Sequence, residues 1–266
     1  MPIRPLSNFP AAALPAVMAV LCDIDDTLTT SGRLTAAAYT AMERLSDAGI
    51  RVVPVTGRPA GWCDHIARLW PVAAVVGENG AFYFRYQRER HAMRRVYAID
   101  APLRESRRRE LLAIGDEILR EVPGSALAAD QPYRETDLAI DYCEDVPRLP
   151  AHAVARIVAL MRARGLTAKV SSIHVNGWFG GYDKLAMAKQ LFAEFFRCGP
   201  GILQQEFAFA GDSPNDAPMF SFFASSVGVA NVSRFVEQIE TPPKYITRGA
   251  AGAGFAELAA HLLGER

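Results

Sequence analysis

Three carboxylates fall within four residues at Asp23-Ile24-Asp25-Asp26, directly after the apolar run 16–22. Carboxylates this close repel one another unless a cation or a shared proton compensates them, which suits a hard, oxygen-seeking metal such as magnesium. Two more polar turns end apolar runs in the same way: Thr56-Gly57-Arg58 after 50–55, and Gly211-Asp212-Ser213-Pro214-Asn215-Asp216 after 206–210. Gly57 lets the backbone approach an anion closely. Asp212 repeats the placement of Asp23, and Asn215 and Asp216 can orient a metal ligand or a lysine. Lys184 is the cation placed just ahead of that last segment. Each feature also has a plainer reading: a helix-capping acidic turn, an ordinary strand-to-helix turn, a solvated lysine.

Such residues need strands to carry them to one place. The run 16–22 reads as a buried parallel strand, 34–48 as a helix stopped by Gly49, 50–55 as a second strand, 60–69 as a helix and 73–76 as a third strand. This βαβαβ order implies right-handed crossovers and an α/β, doubly wound parallel sheet of Rossmann-like form. Ligands bind at the carboxyl ends of such strands, where Asp23 and Asp25 stand. After Phe84 arginines become frequent and the pattern changes. Strand 95–99, helix 103–121, strand 138–143, helix 151–164 and strands 167–171 and 173–179 read as a separate α+β insertion. Helix 184–196, strand 206–210, short strands 227–229 and 245–247 and helix 255–263 then return to the first texture. The division expected is therefore core 1–85, cap 86–180 and core 181–266.

Composition narrows the function classes. Half of the 266 residues are apolar and the formal net charge is zero, so there is ample core material and no global signal for nucleic acid. Cys22, Cys63, Cys143 and Cys198 have neither CxxC spacing nor the density of a disulfide scaffold, which suits a reduced, cytoplasmic protein. Pro10 and Pro15 interrupt the apolar N-terminal stretch, so it reads as a loop and first strand rather than a signal peptide. No apolar run reaches the length of a membrane span. There is no GxxxxGK[ST] loop, and the glycines of 249–254 read as a loop before the last helix.

Taken in order, Asp23/Asp25, Thr56, Lys184 and Asp212/Asp216 resemble the four motifs of the haloacid dehalogenase superfamily of phosphotransferases, through the strings DIDDTLT, VTGR, DK and GDSPND. The likeness spans nearly the whole chain. It includes Glu78-Asn79-Gly80-Ala81, similar to the ENGA loop of the cap-bearing sugar-phosphatase branch (sucrose-phosphatase-like and Cof-like). One departure is Leu185, where that branch commonly has glycine after the lysine. The resemblance implies that Asp23 is a nucleophile forming an aspartyl-phosphate and that Asp25 is the general acid and then base. It further implies that Thr56, Gly57 and Lys184 hold the phosphoryl group, that Asn79 contributes to substrate binding, and that Mg2+ sits on Asp23, Asp25 and Asp212 with Asp216 beside it. The expected activity is magnesium-dependent hydrolysis of a small phosphorylated metabolite, a sugar phosphate first. A phosphomutase of the same superfamily and a ligand-binding module without turnover are the alternatives. The expected partners are that small molecule alone, with no nucleic acid or membrane, in a monomer or small homo-oligomer.

Strand parity extends the reading into the cap. In 173–179, Ile173, Val175 and Phe179 share one face, expected on the cap helices. His174, Asn176 and Trp178 share the other, expected toward the core, where they would bind substrate together with Arg134. The plainer reading is the solvated face of an antiparallel sheet.

Overall fold

The computed structural model describes residues 3–197 and 199–265. The chain starts with an edge strand, β1 (Arg4–Pro5), and enters the interior of the main sheet at β2 (Ala19–Cys22), next to its other edge. A small hairpin, β3 (Thr29–Thr30) and β4 (Arg33–Leu34), follows the acidic turn, then α1 (Ala36–Asp47), β5 (Arg51–Pro54) and α2 (Ala60–Leu69). The Thr35 hydroxyl caps α1 by accepting from the Ala38 amide, and Ala38, Met42 and Leu45 form its buried stripe.

The third strand, β6 (Val75–Gly77), lies parallel to β5 through the Val55–Val76 bridge, but its main partner is antiparallel β7 (Phe82–Gln87), which pairs in turn with β8 (Ala92–Tyr97). The expected strand 95–99 is thus the second arm of a core hairpin, since Tyr86, Met93 and Tyr97 pack on the core. A cap start at residue 86 would cut this hairpin. We propose a boundary near Asp100, which caps the next helix by accepting from the Leu103 amide.

The insertion comprises α3 (Ala101–Glu121), β9 (Ala126–Leu127), β10 (Asp137–Asp141), α4 (Ala151–Ala163), β11 (Thr167–Val170) and β12 (His174–Trp178). Its antiparallel sheet runs β11-β12-β10-β9. One face, with Leu138, Ile140 and Val175, packs on Leu111, Ile114 and Ile118 of α3 and Ile157 and Met161 of α4. Ile173 does not join them. It sits in the turn before β12 and borders the crevice beside Asp23, because the strand alternation begins one residue later.

The chain returns through α5 (Lys184–Leu191) with a π turn at Phe192–Phe196, α6 (Pro200–Glu206), β13 (Phe207–Gly211), α7 (Ala217–Phe222), β14 (Ser225–Gly228), β15 (Tyr245–Ile246) and α8 (Ala251–Leu262). The main sheet is parallel, in the order β1-β15-β14-β13-β2-β5. Alternation along β2 serves both of its faces. Val20 and Cys22 join the layer of α1, α2 and α8, while Ala19 and Leu21 join that of α5, α6 and α7. This is the doubly wound α/β core with a separate antiparallel cap. The glycine-rich stretch is not a loop throughout: α8 begins at Ala251, and a Cβ on Gly252 would come within 2.7 Å of the Leu28 carbonyl. Close packing, rather than flexibility, accounts for that glycine.

Among the described residues no helix is long and apolar enough to cross a membrane. Cys22, Cys63 and Cys143 are free thiols, and Cys198 lies outside the described residues.

Candidate active site

The carboxyl ends of β2, β5 and β13 meet in one buried cluster. Asp23 follows β2, and its amide donates to the Ala210 carbonyl of β13 at 2.9 Å, which sets the two strand ends side by side. The Lys184 Nζ, at the start of α5, donates to Asp23 Oδ1 and to Asp216 Oδ1, both at 2.8 Å. Asp183, capping α5 by accepting from the Ala186 amide at 2.7 Å, helps fix where that lysine begins. Gly80 matters here as well. Its φ is +101°, and a Cβ there would lie 2.0 Å from the Asp183 carbonyl oxygen, so only glycine lets the 78–80 turn press against the lysine segment.

Asp212 completes the cluster. It accepts from Asn231 Nδ2 at 3.0 Å and from the Thr27 hydroxyl at 3.4 Å. The second oxygen of Asp216 accepts from the amides of Asp212 and Ser213 at 3.1 and 3.3 Å, so Asp216 holds both the turn and Lys184. Oxygens of Asp23, Asp212 and Asp216 lie within 4.8 Å of one another. Burial pushes the Asp23 carboxyl up to about 7 against the opposing pull of Lys184, with Asp216 and Asp25 adding to the rise. Burial, then Asp23 and Asp216, likewise push Asp212 well above the carboxylate range. Burial alone would lower Lys184, but Asp216 and Asp23 hold it above the ordinary lysine value. Three buried carboxylates against one ammonium leave a deficit of positive charge, and the donors are all oxygen. That environment fits a hard divalent cation.

Asp25 lies apart from these oxygens. Arg58 grips its carboxylate through Nε at 2.9 Å and Nη2 at 2.8 Å. The same guanidinium reaches cap residues Asp130 at 3.2 Å and Glu144 at 2.6 Å. Arg58 is the residue of this site that the motifs leave without a role. The available signal was an arginine directly beside the Thr56-Gly57 turn.

Thr56 is buried, and its hydroxyl accepts from the Arg58 amide at 3.0 Å. Gly57 offers its carbonyl to Arg134 Nη1 at 2.8 Å. Arg134 is wholly buried, bonded also to Asp130 at 2.9 Å and Asp137 at 2.9 Å, and so ties cap to core. Asn79 does the same through Asp137 at 3.4 Å. Glu78 joins them, accepting from the cap amides of Glu135 at 3.0 Å and Thr136 at 2.6 Å.

The parity expectation for β12 meets the crevice in part: Ile173 lines it as well, and Trp178 does not. His174 and Asn176 border it opposite Asp23, whereas Trp178 is stacked on Tyr182 with ring centroids 5.8 Å apart. His174 Nε2 lies 2.8 Å from Glu144, and Asn176 donates to Asp137 at 3.0 Å. The crevice itself measures only about 10 Å³, room for roughly one water. In this arrangement the cap is closed.

Residues 20–99 match the family model of haloacid dehalogenase-like hydrolases. A phosphoglycolate phosphatase of Pyrobaculum neutrophilum is 30% identical over 246 residues, covering 90% of this chain and 92% of the relative. This protein therefore belongs to the haloacid dehalogenase-like hydrolases. Among solved structures, a phosphatase of this superfamily from Bacteroides thetaiotaomicron superposes with a TM-score of 0.61 at 20% identity, covering 95% of this chain and 97% of the other. The sucrose-phosphatase of Synechocystis sp. PCC6803, solved with sucrose and phosphate, gives 0.60 at 14% identity, covering 92% and 97%. These two likenesses establish the fold.

Proposed function

We propose that this hydrolase is a magnesium-dependent phosphatase that releases inorganic phosphate from a small phosphorylated metabolite, a sugar phosphate first, through an aspartyl-phosphate on Asp23. The observation that carries the reading is the Lys184 ammonium held 2.8 Å from both Asp23 and Asp216 at the strand ends, beside Asp212. An ammonium so placed meets phosphoryl oxygens as a point charge.

Asp23 attacks phosphorus, and the bond to the alcohol oxygen breaks as that oxygen takes a proton from Asp25. Asp25 then accepts a proton from water, whose oxygen attacks the phosphoenzyme and frees phosphate and the Asp23 carboxylate. The Thr56 hydroxyl, the Gly57 amide and Lys184 orient the phosphoryl oxygens, while Asp216 steadies Lys184. Asp23, Asp212 and the Asp25 carbonyl would hold magnesium, which would supply the positive charge that lets an anionic nucleophile approach an anionic phosphate.

The test is phosphate release from a panel of sugar phosphates with magnesium and with excess chelator. The 30% identical relative adds phosphoglycolate to the panel. Activity is expected only with the metal, and Asp23→Asn should lower turnover by at least about a thousandfold. Full activity in chelator, or in Asp23→Asn, would overturn the assignment. Isomerisation of a hexose phosphate without phosphate release would point to a mutase.

A further inference from the structure

We propose that the alcohol part of the substrate binds beside Asp25 in an aromatic groove built by the core with Tyr133 of the cap, and that this groove selects phosphate esters carrying a flat, uncharged ring face. The inference rests on the phosphatase reading above. Its starting point is a mismatch of space. The leaving oxygen must meet the Asp25 carboxylate, yet the crevice between Asp25 and the cap strand measures about 10 Å³. The other side of the Asp25–Arg58 pair opens into a groove of about 650 Å³. That volume lies within the usual range of small-molecule sites.

Four parts of the chain build the groove. Ile24 comes from the turn after β2, Leu34 from the small hairpin, Trp62, Ile66 and Trp70 from α2 and its end, and Tyr133 from the cap. Residues 62, 66 and 70 recur at a spacing of four, so α2 turns one stripe toward this space. A stripe of that kind ordinarily serves the core. Here Trp62 is 42% exposed and Tyr133 59% exposed, among the few large apolar side chains left open to solvent.

Both rings are held in place. The Arg58 guanidinium lies 4.4 Å from the Trp62 ring centroid, and Tyr133 packs against Gly61, where an added Cβ would meet the Tyr133 Cβ at 3.0 Å. Besides Asp25, Arg58 and His65, the lining carries no ionisable side chain other than the Tyr133 phenol. A second depression of about 410 Å³ also touches Asp25, but Asp26, Glu144 and Asp145 line it, which disfavours an apolar ring. Indole and phenol rings held open beside a proton donor suit the C–H face of a sugar or an aromatic ring.

Trp62→Ala and Tyr133→Ala should be assayed with glucose 6-phosphate, 4-nitrophenyl phosphate and acetyl phosphate, the last having no ring. Each variant should lose roughly tenfold in kcat/KM on the two ring esters, chiefly through KM, and keep its rate on acetyl phosphate. A loss confined to 4-nitrophenyl phosphate would assign the groove to aromatic alcohols, and one confined to glucose 6-phosphate to sugars. Unchanged kinetics, or equal losses on all three, would overturn the proposal. Binding gives a reading free of turnover. In Asp23→Asn, 4-nitrophenyl phosphate should quench tryptophan emission saturably, and adding Tyr133→Ala should raise Kd roughly tenfold. An unchanged Kd would overturn the groove. If wild type hydrolyses none of the esters, the phosphatase reading fails and the titration still decides the site.

Discussion

Asp23 binds a proton more tightly in the folded chain than in the unfolded one. Burial raises its carboxyl from 3.8 to about 7 despite Lys184. Between those values the folded state holds a proton that the unfolded state has released, so stability falls as pH rises through this window and levels off above it. In metal-free protein, Asp23→Asn should remove that slope. We expect the variant to gain on wild type by roughly 5 °C in Tm between pH 4.5 and pH 8. Parallel pH profiles for the two proteins would show that Lys184 fully compensates the anion. The residues of this cluster were legible in the sequence because each is a polar residue ending an apolar run. Arg58 was not, because what it does depends on Asp25, Asp130 and Glu144, which lie 33, 72 and 86 residues away. Only the closed fold brings those partners to one guanidinium.

At the scale of elements, long periodic segments were read closely. Helix 60–69 corresponds to α2 as it stands, and Gly49 follows the end of α1. Several elements escaped, among them the strand β7 and the short helices α6 and α7. The hairpin of β3 and β4 has two-residue strands, too short for alternation to register. The strand expected at 95–99 in the cap overlaps only the end of β8, whose exposed arginines resemble cap texture but whose tyrosine and methionine dock on the core. The 78–80 turn yields a sharper expectation. Gly80→Ala must either abandon a φ of +101° or push a Cβ into the Asp183 carbonyl 2.0 Å away. A loss of about 3 kcal/mol is expected in urea unfolding, together with weaker phosphate binding as Lys184 shifts. Wild-type stability and phosphate affinity in this variant would show that the lysine segment gives way freely.

For the molecule as a whole, the closed cap implies an opening step, because a crevice of about 10 Å³ beside Asp23 admits no phosphoryl group. The ties that must release lie along one seam: Glu78 to the amides of Glu135 and Thr136, Asn79 to Asp137, Arg134 to the Gly57 carbonyl, and Arg58 to Asp130 and Glu144. Hydrogen exchange should therefore find the amides of Glu135 and Thr136 opening far more often than those of the cap core, such as Ile140, which lies within a ladder. Arg58→Met should speed exchange at the two seam amides and leave Ile140 unchanged. Equal acceleration at all three would mean that the cap unfolds instead of swinging as a unit.

The place of β2 in the main sheet has a consequence for how the protein is made. Its neighbour β13 pairs Phe209 with Leu21, across the entire inserted cap. Contacts that distant in sequence form late, since a long loop must close before they give any return. On a ribosome, the acidic turn that follows β2 emerges well before the strand that will shield it. The cap, whose helices and sheet meet within a short stretch of chain, can mature in that interval. The carboxylate of Asp23 at the end of β2 thus stays hydrated through most of synthesis, and it enters the dry interior only when the last third of the chain arrives with Lys184 to meet it.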